Sequence, residues 1–422
     1  MVVGTIIGAS IFVQPSEITK QIPSVSGILI AWLAAGVLTL FGALVCAELS
    51  SAFPRTGGVY VFLREAYTPA AGFLWGWAMF WTMHTGIIAV IATVFARYAA
   101  YFVPMGASGQ RATAAGIILL LSGVNILGVR YGGLVQNAFT AAKVAAIAIL
   151  VAAGLVWAHP GATVGGPVPI DAAPMTMRGL ALAIGAGLFA YGGWHMVTYT
   201  AGETKEASRT LPRALLLGTL IVTACYAGLN AVYLRVLPLD AVRASSRVAA
   251  DAADALFGGG GASLMAALVL VSTFGAVNGI ILVGPRVYYQ MAQDGVMLRW
   301  MGAVHPRFGT PHRALAVQAV WAAVLAATNT YGALFSRVIY TEWIFFAAMA
   351  AGLMLLRRRA DYRPSYRVVG YPVVPVVFIA ASLVIVANQV MAVPADSAAG
   401  LGIVLLGLPV YWLWTRFTAP RP

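Results

Sequence analysis

Apolar residues recur along this chain in long runs separated by short polar loops. The runs fall at about 2–19, 27–52, 70–100, 112–129, 132–157, 179–201, 212–235, 262–292, 314–331, 336–356, 373–393 and 398–416. Each is close to the roughly 17–25 residues that an α-helix needs to cross a bilayer. The pattern predicts twelve transmembrane helices in an all-α polytopic protein, and an even number puts both termini on one side. Two runs are interrupted by glycine, the first within Gly4-Thr5-Ile6-Ile7-Gly8-Ala9-Ser10-Ile11-Phe12 and the sixth within Gly187-Leu188-Phe189-Ala190-Tyr191-Gly192-Gly193-Trp194-His195. Glycine weakens a helix and frees backbone groups there. At membrane depth such groups persist only where they face protein or a water-filled cavity. Interrupted helices in corresponding halves of a chain are the sequence sign of a transporter's substrate site.

Composition narrows the class. With 61% hydrophobic and 9% charged residues in 422, the chain is neither a soluble globular protein nor a disordered one. Polar stretches reach only about two dozen residues, too few for a soluble core, so one membrane domain spanning 1–422 is expected. The net charge of +13 lies in loops between spans, where it sets orientation and does not point to nucleic acid. With the N-terminus inside, 17 Lys and Arg fall inside and 8 outside, which predicts cytoplasmic termini. Cys46 and Cys225 sit in apolar runs and read as free thiols, with no disulfide framework or metal site. No cleavable signal peptide is evident. The abrupt start is either a truncation or an unusually short first half-helix.

Polar residues inside the runs carry the candidate chemistry. Lys143 lies roughly 16 Å past Gly132 along a helix, too deep to reach an interface, and it must face the protein interior and meet oxygens. A functional charge and a purely structural buried lysine both fit. Asn278 is a polar group at membrane depth that should find an inward partner. Glu342 is either proton-linked or satisfied near the outer interface. The Pro54–Tyr67 segment reads as an amphipathic helix along the cytoplasmic face or as an ordinary loop. Residues 200–214 read as a gating loop or a solvated one, with Ser208 or Thr210 capping a helix that holds Pro212 in its first turn. Arg357-Arg358-Arg359 closes the tenth span on the cytoplasmic side.

Taken in order, Gly4 to Phe12, Pro54 to Tyr60, Lys143, Phe189 to Trp194 with Gly202-Glu203, Leu211-Pro212-Arg213-Ala214, and Val277-Asn278-Gly279 with Arg286 resemble the L-type amino acid transporter family of the amino acid, polyamine and organocation superfamily. The resemblance implies a leucine-transporter-type fold. Repeat one would span about 1–157 and an inverted repeat two about 178–357, in a five-plus-five arrangement with broken helices 1 and 6. Peripheral helices would follow at about 372–416. It also implies that a substrate carboxylate sits on the N–H groups of Ala9, Ser10 and Ile11 beside Gly8, where the helix dipole is positive. The ammonium would sit on carbonyls near Ile6, Ile7, Phe189 and Ala190. Phe189 would gate the site, and Gly192, Trp194 and His195 would shape its side-chain end, though helix packing is the plainer account of these aromatics. Lys143 would stand where sodium-coupled relatives hold a cation.

Three departures bear on this. Ala9-Ser10 replaces the family's glycine pattern and favours smaller substrates. Ile280 replaces a frequent serine, which leaves the span 8 partner of Lys143 open. The loop around Pro104 to Arg111 lacks the cysteine that links some animal members to an ancillary glycoprotein, so no disulfide-linked subunit is expected.

The leading expectation is a bacterial-type cytoplasmic-membrane transporter, embedded in lipid. It would move L-amino acids, foremost neutral ones, by sodium-independent exchange with no cofactor, and Lys143, Phe189, Asn278 and Glu342 would serve coupling and gating. A proton-coupled symporter is the alternative. Against a membrane enzyme, the spans show no paired carboxylates in a shared motif, no metal-ligand spacing and no nucleophile motif, and two separately broken helices disfavour a channel.

Overall fold

The computed structural model describes residues 2–22, 24–128, 132–156 and 175–418, with the side chains of 132–139 and 417–418 outside that description. Expectations resting on Met1, Arg130, the side chains of 137–139, Trp157 and Arg421 lie outside the described residues.

Among the described residues the chain is helical without strands. The first run is α1 (Val2–Ile6), a short 3₁₀ turn at Ser10–Phe12, and α2 (Gln14–Gln21) with Pro15 in its first turn. The long α3 (Val25–Ala52) is capped by Ser24, whose hydroxyl accepts from Gly27 N–H, and stops before Pro54. Next come α4 (Val59–Ala66) and α5 (Pro69–Ala78). A π-helical turn at Met79–Met83 runs into α6 (His84–Phe102), followed by α7 (Ala107–Ile126) and α8 (Gly132–Val156). The second half opens with α9 (Met177–Ala190), capped by Thr176, and continues after a break as a 3₁₀ segment, Trp194–Glu203. It proceeds through α10 (Ala207–Val236), α11 (Leu239–Ala244), α12 (Val248–Phe257), α13 (Gly261–Val283), α14 (Pro285–Gln293), α15 (His312–Thr328) and α16 (Tyr331–Leu356). Last are α17 (Val373–Ala392), α18 (Pro394–Leu405) and α19 (Gly407–Thr418). Eight helical stretches among the described residues are long and apolar enough to cross a membrane, so the chain is a polytopic membrane protein. The other four expected runs are helical too, but the first is broken, α7 carries Gln110 and Arg111, α8 is described in full only from Thr140, and α15 has 17 residues.

Several local expectations change. Val59 to Leu63 are buried, so α4 is a helix packed on the bundle and not an ordinary loop. Neither Ser208 nor Thr210 caps α10: the helix starts at Ala207, after Glu206 in the left-handed region at φ 45°. Pro212 therefore lies inside it. The carbonyl that Pro212 leaves without an N–H is that of Ser208, and it accepts from the Ser365 hydroxyl at 3.2 Å. The segment between α10 and α13 is not a plain loop, because Val242 and Val248 to Ala250 bury α11 and α12 against the bundle. Ser16 of α2 donates there to the Arg243 carbonyl.

Arg357 does more than end a span. Its guanidinium grips both carboxylate oxygens of Glu48, a fully buried residue of α3, and Val368 N–H donates to the same group at 2.6 Å. Arg359 donates to the carbonyls of Glu65 and Ala66. One end of α16 is thus fixed to α3 and α4. Arg357→Met strands a buried carboxylate and is expected to cost about 3–5 kcal/mol, read as a large drop in Tm in detergent. Adding Glu48→Gln should restore most of it. A single variant as stable as wild type would show that the pair contributes nothing.

Candidate substrate site

The two helix breaks meet. α1 ends as Gly8 N–H turns back to the Ile6 carbonyl at 2.7 Å, and backbone pairing resumes with Phe12 N–H on the Ala9 carbonyl at 3.1 Å. Between them the N–H groups of Ala9, Ser10 and Ile11 have no backbone acceptor among the described residues. In the second break, Gly192 N–H returns to the Phe189 carbonyl at 3.0 Å, and Gly193 adopts φ 99°, a conformation glycine takes without strain. The Thr5 hydroxyl reaches the Gly193 carbonyl at 3.3 Å, and the Tyr226 hydroxyl of α10 sits 3.0 Å from the carbonyls of both Ile6 and Ala190. One tyrosine thereby joins the carbonyl ends of both half-helices.

A small cavity lies at this junction. Its walls are the first break at Thr5, Ile6, Gly8 and Ser10, the second at Phe189, Ala190, Gly192, Gly193 and Met196, and Ile87, Ile91, Ile280 and Glu342 from neighbouring helices. Its volume is about 20 Å³, room for about one water molecule. The site is contracted, and an amino acid would enter only if the walls move apart. Phe189 packs edge-on against Phe335 of α16 with ring centroids 4.9 Å apart, which closes one side.

Of the residues expected at the site, Ile6, Gly8, Ser10, Phe189, Ala190, Gly192 and Glu342 border this cavity. Ile7, Ala9 and Ile11 are buried behind it. The Ile7 carbonyl accepts from Lys143 Nζ at 3.0 Å, so α8 is tied to the first break through a buried ammonium. The four carbonyls expected to hold an ammonium all have partners already: Ile6 and Ala190 share Tyr226, Ile7 has Lys143, and Phe189 has Gly192 N–H. Ile7, Phe189 and Ala190 each retain a second lone pair, whereas the Ile6 carbonyl also accepts from Gly8 N–H and has both taken. Trp194 and His195 stand behind the wall in an aromatic stack with Trp75, Tyr199 and Phe346. Asn278 is away from the cavity, where its amide oxygen accepts from Asn125 Nδ2 of α7 at 2.7 Å. Glu342 is buried at the cavity, 4.0 Å from His195 Nε2.

Sequence reasoning missed Tyr226, Met196, Ile87 and Ile91, which carry no signature beyond their apolar or aromatic character. It also missed Ser272. With Ile280 unable to partner Lys143, Ser272, about two turns earlier on α13, approaches the Gly8 carbonyl at 3.5 Å and shares a small apolar cavity with Lys143. At the end of the bundle near Pro54, the 200–214 loop is engaged. Glu203 makes a bidentate pair with Arg286 of α14 at 2.7 and 2.9 Å, and Asp294 takes Tyr60 at 2.7 Å and Arg64 as well.

A cavity walled by two interrupted helices within a polytopic bundle is the arrangement of a secondary transporter. The amino acid permease family model matches residues 1–413. The chain is 32% identical over 419 residues to the serine/threonine exchanger SteT of Bacillus subtilis, covering 98% of this chain and 94% of that one. It is 31% identical over 425 residues to the human b(0,+)-type amino acid transporter 1, covering 99% and 86%. It is 32% identical over 429 residues to the human large neutral amino acids transporter small subunit 2, covering 98% and 78%. The chain belongs to the amino acid permease family, in its L-type branch of the amino acid, polyamine and organocation superfamily, and is an amino acid transporter and not an enzyme.

Proposed function

We propose that the protein exchanges neutral L-amino acids across the cytoplasmic membrane by alternating access, without sodium. The observation that carries this reading is the set of unpaired N–H groups at Ala9, Ser10 and Ile11, beside a cavity that both helix breaks enclose. Such groups at a helix start favour a carboxylate, and the free lone pair of the Ala190 carbonyl favours an ammonium. Backbone recognises the part that all amino acids share, and Ser10 beside Ala9 favours compact side chains. The two breaks suit twelve spans in two inverted repeats, about 1–157 and 178–357, with peripheral helices at about 372–416 and both termini cytoplasmic. Lys143 supplies a tethered positive charge between α8 and the first break, and no ancillary subunit is required. The name of one relative, a serine/threonine exchanger, agrees with small neutral substrates, and that of another, a large neutral amino acids transporter, with neutral ones of larger size.

The deciding experiment is uptake of a panel of labelled L-amino acids into proteoliposomes, with and without amino acid inside and with sodium or proton gradients outside. Exchange predicts uptake that needs internal amino acid and ignores both ions. Sodium-driven uptake, or no uptake of any substrate, would sink the proposal. A second reading, proton-coupled symport, is favoured by one observation, the buried Glu342 carboxylate at the cavity wall. It predicts uptake driven by a proton gradient alone and lost in Glu342→Gln.

Phe189 is the gate in this scheme. An edge-to-face aromatic pair is worth about 1 kcal/mol beyond its area, so Phe189→Ala should shift the closed–open equilibrium several-fold toward open. Substrate trapped during rapid dilution measures this, and wild-type retention would remove the gate assignment.

A further inference from the structure

A second cleft, of about 550 Å³, lies among Trp77, Phe80, Trp81, Trp300, Val320 and Trp321, with every lining side chain apolar. We infer that this cleft holds an acyl chain of an anionic phospholipid, with its phosphate drawn to Arg299 and Arg313, and that the lipid braces the π-helical turn of Met79–Met83 against α15.

The walls are preformed. Trp81 meets Trp321 edge-on at 5.1 Å and Trp77 at 5.5 Å, Trp321 Nε1 donates to the Trp81 carbonyl at 3.1 Å, and Trp77 Nε1 donates to the Ile403 carbonyl at 2.7 Å. The rings cannot turn to fill the space without losing these bonds. The mouth is open, with Val320 60% and Trp300 41% exposed. In a membrane protein an open apolar cleft of this size fronts on hydrocarbon, and water finds no polar partners there. Tryptophan at its rim suits the level of the lipid headgroups.

Charge selects the headgroup. Arg299 lies in the chain between Leu298 and Trp300, which both line the cleft, and Arg313 precedes the lining residues Ala316 and Val317 by one helical turn on α15. Both arginines are exposed, and neither has a carboxylate partner among the described residues. Elsewhere at this end of the bundle Asp294 pairs with Arg64, Glu203 with Arg286 and Glu48 with Arg357, and none of these acids reaches Arg299 or Arg313. The unneutralised cations therefore favour an anionic over a zwitterionic headgroup. The site also has a route to the substrate cavity. Trp81 belongs to the π-helical turn, the next helix begins at His84, and His84 Nε2 donates to the carbonyl of Ile280, a cavity-lining residue, at 2.8 Å. Single π-turns recur at functional positions in helices.

The test reconstitutes the full chain in phosphatidylcholine vesicles that contain either phosphatidylglycerol or further phosphatidylcholine brominated on its acyl chains, and reads quenching of tryptophan fluorescence. Four of the eleven tryptophans line the cleft, so they dominate a change caused by a bound chain. Brominated phosphatidylglycerol should quench more than brominated phosphatidylcholine at equal mole fraction. Arg299→Gln with Arg313→Gln should abolish that preference, each arginine accounting for about fivefold in relative affinity. Ala316→Phe, and at the exposed wall Val320→Phe, should lower quenching by both lipids. In exchange assays phosphatidylglycerol should speed the wild type and leave the double variant unchanged at its phosphatidylcholine rate. Equal quenching by the two lipids, a preference that survives the double substitution, or quenching indifferent to both filling variants would overturn the inference. The quenching arm does not depend on transport, so it stands or falls apart from the proposed exchange.

Discussion

Lys143→Ala is expected to abolish amino acid transport and to leave a folded protein. The ammonium is buried and meets the Ile7 carbonyl at 3.0 Å, in the stretch where the first span has lost its helical pairing. A charge at that depth is costly to hold in place, so removing it does not by itself cost fold stability. Replacing a desolvated charge by an apolar group is often neutral or stabilising, provided no partner charge is stranded, and the partner here is a carbonyl. What disappears is a link between α8 and the first break. A hydrogen bond to a charged group contributes about 1.5–3 kcal/mol, which is roughly a ten- to hundredfold bias toward whichever state of the cycle holds the link. Lys143→Met keeps most of the stem and separates charge from packing. Proteoliposome exchange read beside Tm in detergent decides the matter. Exchange near wild type in both variants would make Lys143 a structural residue only, and a collapse of Tm in Lys143→Met would show that the charge serves folding.

Much of this site was legible in the sequence because its signals break the rules of a membrane span. A glycine pair inside an apolar helix, a lysine midway through one, and a glutamate in another all carry a cost that the chain bears for a reason, and Gly192-Gly193, Lys143 and Glu342 all gather at or beside the breaks. What stayed hidden were residues whose type fits a span without remark. Tyr226 is one aromatic among many, yet it joins the carbonyls of Ile6 and Ala190 across 220 and 36 positions of chain. Ser272 and Ile280 show which polar group faces the first break only once α13 is placed. Trp194 and His195, next to the break in sequence, turn out to be packed behind the wall, because residues of the 3₁₀ segment fan out around its axis and only Met196 returns to the cavity. The Glu48–Arg357 pair joins positions 309 apart, and no local pattern announces a pairing of that range. Helix boundaries were readable to a few residues from apolar length alone. The buried α11 and α12 were not, because short alanine-rich helices resemble loops until something packs on them.

Gly193→Ala should be the most damaging small substitution at the site. At φ 99° a side chain is strained by about 1–2 kcal/mol, and the added methyl carbon would stand 2.9 Å from the Thr5 carbonyl oxygen and 3.2 Å from its carbon. Both are backbone atoms of the other interrupted helix, so no rotamer change relieves the contact and the two breaks must separate. Separation would also lengthen the Thr5 hydroxyl contact to the Gly193 carbonyl, now 3.3 Å, and load the Tyr226 bridge to Ile6 and Ala190. The expected result is a lower Tm together with loss of exchange, since the junction that closes on substrate cannot form. Gly116→Ala is the matched control. It lies within α7 with nothing within 4 Å of the added carbon, so there the methyl should be neutral or stabilising by about 0.5–1 kcal/mol. Equal behaviour of the two variants would mean that the breaks relax independently, and close apposition of the half-helices would then have no part in transport.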